Sequence, residues 1–119
     1  MQKKILIVED DEDIVSYLKD IFRNLLGIKN VEFFSVYDEK SALELLKKES
    51  IDLITLDDYL ICGHGRDILK KMSDEQRNKT IVFSYDIPFQ IECQKQNISV
   101  VGKSDDSFQR IKEEFEKKK

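Results

Sequence analysis

The stretch at residues 51–65, IDLITLDDYLICGHG, decides the fold. It opens as a short apolar run with β-branched residues and ends in turn-forming residues, a pattern typical of a buried strand that leaves its sheet. Asp57 lies where this strand is predicted to end. Ligands of open parallel sheets bind beyond the carboxyl ends of the strands, and an unpaired carboxylate is costly to bury. Asp57 therefore either caps the turn or carries chemistry at that edge.

Outward from this strand, apolar runs alternate with amphipathic helical patterns along the whole chain. Strands are predicted at residues 5–8, 31–36, 51–56, 80–85 and 98–101. Helices are predicted at residues 14–25, 38–50, 68–72, 88–96 and 108–115. Continuous apolar strands that alternate with helices favour a three-layer α/β fold, in which helices cover both faces of a parallel sheet. We expect five strands in the flavodoxin-like order 2-1-3-4-5, flanked by five helices.

The composition fits one domain over residues 1–119, with no output domain. Apolar residues make up 40% of the 119, and no linker-like segment divides the chain. A net charge of −4 argues against direct binding to nucleic acid. No apolar run is long enough to span a membrane, and no signal-peptide pattern precedes the first strand. We therefore expect a cytoplasmic protein without membrane contact.

Acidic residues follow two strands that this order makes neighbours. Glu9 and Asp10 come after strand one, and Asp57 comes after strand three. Like charges that lie close together repel each other unless a cation holds them, and Mg²⁺ prefers oxygen ligands and bridges to phosphate oxygens. Ser84 and Lys103 end or follow strands four and five at the same edge, and both suit phosphoryl oxygens. The sequence therefore predicts a magnesium site with a phosphoryl partner, in which Asp57 is the nucleophile.

With these residues in place, the chain resembles the receiver domains of two-component response regulators over essentially its whole length. The motifs that carry the resemblance are KILIVEDD, DLITLD with Asp57, the later Gly65, IVFS with Ser84 and VVGK with Lys103. The resemblance implies that Asp57 accepts a phosphoryl group from a histidine kinase or a phosphotransfer protein of a phosphorelay. It also implies autodephosphorylation by an in-line water, so the chain would not be a conventional turnover enzyme.

The resemblance also implies a set of magnesium ligands. Asp10 and Asp57 would bind Mg²⁺ directly, and Glu9 would act through a water or as a ligand. The backbone carbonyl of Tyr59 would complete the protein ligands.

Roles for the phosphoryl group and for partners follow from the same resemblance. Lys103 would pair with the phosphoryl group, and Ser84 would donate a hydrogen bond to it. With no output domain predicted, the signal would pass by docking to an unidentified downstream protein or by handing the phosphoryl group on. Members of the family commonly form homodimers, so the resemblance also makes a homodimer of this chain a candidate assembly.

Several positions depart from the pattern of the family. Ile61 stands where a proline is usual, and Ser104 stands where a proline usually follows the lysine. Val100 replaces the switch aromatic, and the span from Ser84 to Lys103 is short by about one helical turn. Tyr85 replaces a small residue and is a candidate gate over the phosphoryl site. The acceptor chemistry is therefore predicted to be intact, while the surface that normally reports phosphorylation is altered.

Other interpretations stay open from the sequence. The departures also fit a receiver-like interaction module that is never phosphorylated. A metal-dependent phosphatase would need a second acid two residues after Asp57, where Tyr59 stands. Ser84 and Lys103 can be an ordinary strand-end hydroxyl and a surface lysine. Asp58 is expected to be a solvated neighbour of the acceptor.

Overall fold

A computed structural model describes residues 2–25, 27, 30–60, 62–102, 110, 111, 113, 114 and 117. In this part of the chain, five parallel strands form one sheet in the order β2-β1-β3-β4-β5. The strands are β1 Lys3–Val8, β2 Val31–Val36, β3 Leu53–Leu56, β4 Thr80–Ser84 and β5 Ser99–Gly102. The predicted flavodoxin-like α/β fold and strand order are confirmed.

Helices connect the strands, as the alternating pattern predicts. They are α1 Glu12–Asp20, which continues as a π-helical turn over Ile21–Leu25, α2 Glu39–Lys48, α3 Gly65–Lys71, α4 Asp74–Asn78 and α5 Ile87–Lys95. The described residues between 110 and 117 are helical too, and Ile111 among them is buried, whereas Phe108 and Phe115 of the predicted final helix lie outside the described residues. The predicted fourth helix at residues 88–96 is α5, because α4 is an additional short helix before β4.

Aspartates cap three of the helices that follow strands, namely α1, α2 and α5. Asp11 is the N-cap of α1, and its carboxylate accepts from the backbone N–H of Asp13 at 2.9 Å. Asp38 is the N-cap of α2, and Asp86 is the N-cap of α5. Side-chain oxygens at this position satisfy N–H groups that have no partner within the helix. These caps hold the helix starts close to the edge of the sheet where the candidate site residues lie.

The core consists of two apolar layers, one on each face of the sheet. Alternate strand residues point to opposite faces, so Leu6 and Val8 lie in one layer while Ile5 and Ile7 lie in the other. The first layer includes buried residues of α2, α3 and α5, and the second includes residues of α1 with its π-helical turn. Burial on both faces explains why the central strands β1, β3 and β4 contain continuous apolar runs.

Candidate functional site

The register of the sheet makes the ends of β1, β3 and β4 almost level. Val8 pairs with Leu56, and Leu56 pairs in turn with Val82. The chain just past these strands stays attached to the sheet, since the N–H of Asp57 donates to the carbonyl of Val8 at 3.0 Å. Glu9 is held in the same way by the carbonyl of Val36 at 3.1 Å. Side chains that follow these strands therefore share one edge.

Three acidic side chains meet at that edge. Among the described residues, Glu9, Asp10 and Asp57 each offer a carboxylate oxygen within 4.8 Å of the other two. Glu9 is only 2% exposed and Asp57 only 7%, while Asp10 is half-buried. At this separation, and largely out of water, three negative charges repel one another strongly. Hard oxygen donors clustered in this way are suited to a divalent cation of the magnesium type.

The turn after Asp57 is closed by a glycine packed directly on its backbone. The N–H of Gly65 donates to the carbonyl of Asp58 at 2.7 Å. A Cβ added to Gly65 would overlap the carbonyl oxygen of Asp57 and would lie 2.9 Å from its carbonyl carbon. Both atoms belong to the backbone rather than to the end of a flexible side chain, so this position requires a residue without a Cβ. The motif glycine is therefore explained by the close approach of α3 to the backbone of Asp57.

The expectation that Asp58 is solvated is wrong. Asp58 is fully buried, and its carboxylate binds the guanidinium of Arg66 at two points, Nε to Oδ1 at 3.2 Å and Nη2 to Oδ2 at 2.7 Å. The backbone N–H of Arg66 also donates to Oδ1 at 3.3 Å. Burial of a carboxylate is tolerated here because its charge is paired and its oxygens accept hydrogen bonds. Sequence reasoning missed this pair, since no spacing rule links a loop aspartate to an arginine eight residues later.

The same arginine reaches a second loop. Nη2 of Arg66 lies 3.5 Å from Oδ2 of Asp86, and the guanidinium lies over the ring of Phe89, 5.3 Å from its centroid. The hydrogen bond to Asp58 raises the pKa of Arg66 above its already high value. Hydrogen bonds from the Phe89 backbone and then from the Tyr59 side chain, with the nearby Arg66 charge, lower the pKa of Asp86. The bond to Asp86 in turn raises the pKa of the Tyr59 hydroxyl.

Ser84 ends β4 at the same edge and is buried. Its hydroxyl accepts a hydrogen bond from the N–H of Asp86 at 3.0 Å, and its carbonyl accepts from Nε2 of Gln90 at 2.6 Å. Tyr85, the candidate gate, is 71% exposed beside it. Lys103, which directly follows β5, lies outside the described residues.

Besides Tyr85, one departure from the pattern of the family lies within the described residues. Val100 lies buried within β5, in the apolar layer shared with α5. Ile61 and Ser104 both lie outside the described residues.

No helix in the described part of the chain combines the length and apolar character needed to cross a membrane.

The chain belongs to the response regulator receiver domain family, which it matches over residues 5–107. The transcriptional regulatory protein CpxR of Escherichia coli K12 is 33% identical over 81 residues, which are 68% of this chain and 33% of that protein. The chain thus spans about a third of the length of the curated relatives it matches.

Solved structures share the fold. The response regulator TrrA of Thermotoga maritima, determined in complex with Mg²⁺ and BeF, has a TM-score of 0.79 at 22% identity and covers 99% of this chain and 100% of that one. The phosphorylated cyanobacterial phytochrome response regulator RcpA has a TM-score of 0.77 at 22% identity, with 96% and 89% covered. The family assignment from the sequence motifs is confirmed.

Proposed function

We propose that this chain is a phosphoacceptor receiver, in which Asp57 accepts a phosphoryl group from a histidine kinase or a phosphotransfer protein of a two-component system or phosphorelay. The observation that carries the proposal is the meeting of Asp57 with Glu9 and Asp10, within 4.8 Å, in a chain of the receiver family. The proposed setting is the cytoplasm. The chain would signal by docking to a partner protein or by passing the phosphoryl group on.

The donor set of the acid cluster fits Mg²⁺. Glu9, Asp10 and Asp57 supply carboxylate oxygens only, and their mutual repulsion favours a bound dication. We assign the metal to these residues together with the backbone carbonyl of Tyr59. When bound, Mg²⁺ would neutralise charge on the phosphoryl oxygens and so let a carboxylate approach them.

The residues of the chain then account for the transfer. The N–H of Asp58 donates to Oδ1 of Asp57 at 2.9 Å and fixes the orientation of the carboxylate. A carboxylate oxygen of Asp57 attacks phosphorus, the P–N bond of the phosphohistidine breaks, and the imidazole nitrogen keeps the electron pair and takes up a proton. In the dephosphorylation step, a water oxygen attacks phosphorus and the bond from phosphorus to the Asp57 oxygen breaks, giving inorganic phosphate and the free carboxylate.

Two further residues are assigned to the phosphoryl oxygens. The Ser84 hydroxyl accepts a hydrogen bond from Asp86 and retains its own proton to donate. Lys103 follows Gly102 at the end of β5, the strand paired with β4, so its ammonium is assigned to charge pairing with the phosphoryl group.

Incubation with acetyl phosphate and Mg²⁺ is expected to add one phosphoryl group to the wild-type chain, and none to Asp57→Asn. The amide of asparagine is a poor nucleophile, so the adduct should be lost completely. Intact-mass spectrometry with and without Mg²⁺ makes the measurement. An adduct that persists in Asp57→Asn would show that another residue is the acceptor. The absence of any adduct on the folded wild-type chain would favour an interaction module that is never phosphorylated.

Addition of Mg²⁺ is expected to raise the thermal midpoint of unfolding. At about 100 times its dissociation constant, a ligand that binds only the folded state stabilises it by about 2.7 kcal/mol. Asp10→Asn should weaken Mg²⁺ binding by about tenfold or more, because affinity depends on the number of charged ligands.

The matched control for this titration is Asp13→Asn. Asp13 is exposed in the first turn of α1 and lies outside the acid cluster. A thermal shift that is equal in Asp10→Asn and Asp13→Asn would contradict the metal assignment.

A further inference from the structure

One guanidinium joins the two loops that carry the predicted acceptor and the predicted hydroxyl donor. Arg66 lies in the first turn of α3, next to Gly65, which packs on the backbone of Asp57 and Asp58 in the loop after β3. Its guanidinium binds Asp58, the residue after the acceptor, at 2.7 Å and 3.2 Å. It also lies 3.5 Å from Asp86 in the loop between β4 and α5. The loop after β3 and the loop after β4 are therefore joined by a single side chain.

Each of these aspartates has a second contact, made by its backbone. The N–H of Asp58 donates to Oδ1 of Asp57 at 2.9 Å. The N–H of Asp86 donates to Oγ of Ser84 at 3.0 Å. A shift in the side chain of either aspartate would move the N–H that orients the neighbouring site residue. On each side of Arg66, an aspartate side chain contacts the guanidinium and the N–H of the same aspartate donates to a predicted site residue.

From this geometry we propose that Arg66 is a positioning residue, which holds the Asp57 carboxylate and the Ser84 hydroxyl in one arrangement through Asp58 and Asp86. The inference rests on the proposed function insofar as that arrangement serves phosphoryl transfer. Arg66 is suited to this role because its planar guanidinium can bind two carboxylates at once, which the point charge of a lysine cannot do with the same geometry.

Neighbouring contacts limit the freedom of the guanidinium. The ring of Phe89, which is buried in α5, lies 5.3 Å from the guanidinium, and the backbone N–H of Arg66 donates to Oδ1 of Asp58 at 3.3 Å. The two loops therefore have little room to move independently while Arg66 stays in place. A change at one predicted site group would be transmitted to the other and to the start of α5.

Three variants test this role. Arg66→Met removes the charge and the donors but retains an apolar stem over Phe89. Arg66→Lys retains the charge without the planar fork. The matched control is Arg77→Met, since Arg77 is 31% exposed against 36% for Arg66 and also pairs with an aspartate, but that aspartate is Asp74 in α4 rather than Asp58 or Asp86. If Arg66→Met fails to fold, the double variant Arg66→Met, Asp58→Asn removes the bridge without leaving a buried unpaired charge.

The first measurement is amide hydrogen exchange at residues 58 and 86, without Mg²⁺ or a phosphodonor. We expect Arg66→Met, or the double variant, to exchange about tenfold faster than wild type at both amides, Arg66→Lys to be intermediate, and Arg77→Met to be unchanged. Unchanged exchange at either amide would overturn the proposal. Because no phosphodonor is present, this result does not depend on the proposed function.

The second measurement is the rate of phosphorylation of Asp57 by acetyl phosphate at saturating Mg²⁺. Arg66→Met is expected to be about tenfold slower than Arg77→Met, with part of the rate restored in Arg66→Lys. Altered exchange with an unaltered rate would overturn the positioning role. A wild-type chain that takes up no phosphoryl group would refute the proposed function, and the exchange data alone would then decide whether Arg66 holds the two loops.

Discussion

Gly65→Ala is expected to lower the thermal midpoint of unfolding by on the order of 10 °C and to remove most of the phosphorylation of Asp57. The added Cβ would overlap the carbonyl oxygen of Asp57 and would lie 3.1 Å from the Cα of Asp58. Both obstacles are backbone atoms, so α3 and the loop after β3 must move apart. Overpacking of this kind costs about 3 kcal/mol, which corresponds to that shift in a domain of this size. The displaced carbonyl belongs to Asp57, the proposed acceptor, so phosphorylation should fall as well.

Gly102→Ala is the matched control for this experiment. Among the described residues, a Cβ at Gly102 would meet only the side chain of Gln90, at 3.5 Å and 3.9 Å, which is ordinary contact. We expect its stability to stay within about 0.5 kcal/mol of wild type. Differential scanning calorimetry and intact mass after acetyl phosphate treatment provide the two measurements. Equal midpoints for the two alanine variants would show that α3 can move away from Asp57 at little cost.

The fold could be predicted because the central strands β3 and β4, and most of β1, are buried on both faces. β2 lies at the predicted residues 31–36, and the predicted order of the sheet is the observed one. β3 begins two residues later than predicted, at Leu53. The reason is local, since the carboxylate of Asp52 accepts the N–H of Lys4 at 2.8 Å. The Asp52 side chain thus takes the place of the backbone carbonyl that a longer strand would offer to Lys4. The pattern of apolar residues gives no sign of such a side-chain hydrogen bond.

The sequence does contain a signal for the additional helix α4, but the signal is a capping motif and not an apolar periodicity. Ser73 accepts from the N–H of Gln76 at 3.1 Å, and the Gln76 side chain accepts from the N–H of Ser73 at 3.0 Å. This reciprocal capping box is visible as serine followed three residues later by glutamine. None of the residues of α4 is buried, so it has no apolar stripe from which to predict it.

The acidic residues of the site could be proposed from the sequence because strand order brings strand ends together. Glu9, Asp10 and Asp57 needed only the 2-1-3-4-5 topology to become neighbours. The contacts of Asp58 and Arg66 could not be predicted in this way, because they depend on side-chain directions in a loop and in the first turn of a short helix. Charged residues are seldom buried unless paired, so a lone acid beside another acid is ordinarily assigned to the surface.

Arg66→Met is expected to lower the free energy of unfolding by about 3 kcal/mol, and adding Asp58→Leu is expected to recover most of that loss. Removal of one partner from a buried ion pair leaves an uncompensated charge and typically costs about 3–5 kcal/mol. The lower end applies because Arg66 is 36% exposed, which lets water approach the carboxylate once the guanidinium is gone. Replacement of both partners by apolar residues is commonly neutral, since no charge is then left out of water.

Urea denaturation of the wild type, both single variants and the double variant gives the coupling energy between Arg66 and Asp58 directly. The comparison also separates stability from positioning. A double variant that is as stable as wild type yet accepts phosphate more slowly would mean that the pair orients Asp57 without adding to stability. A double variant no more stable than Arg66→Met would instead mean that Asp58 is tolerated in the core without its partner, and the expected energetics would be wrong.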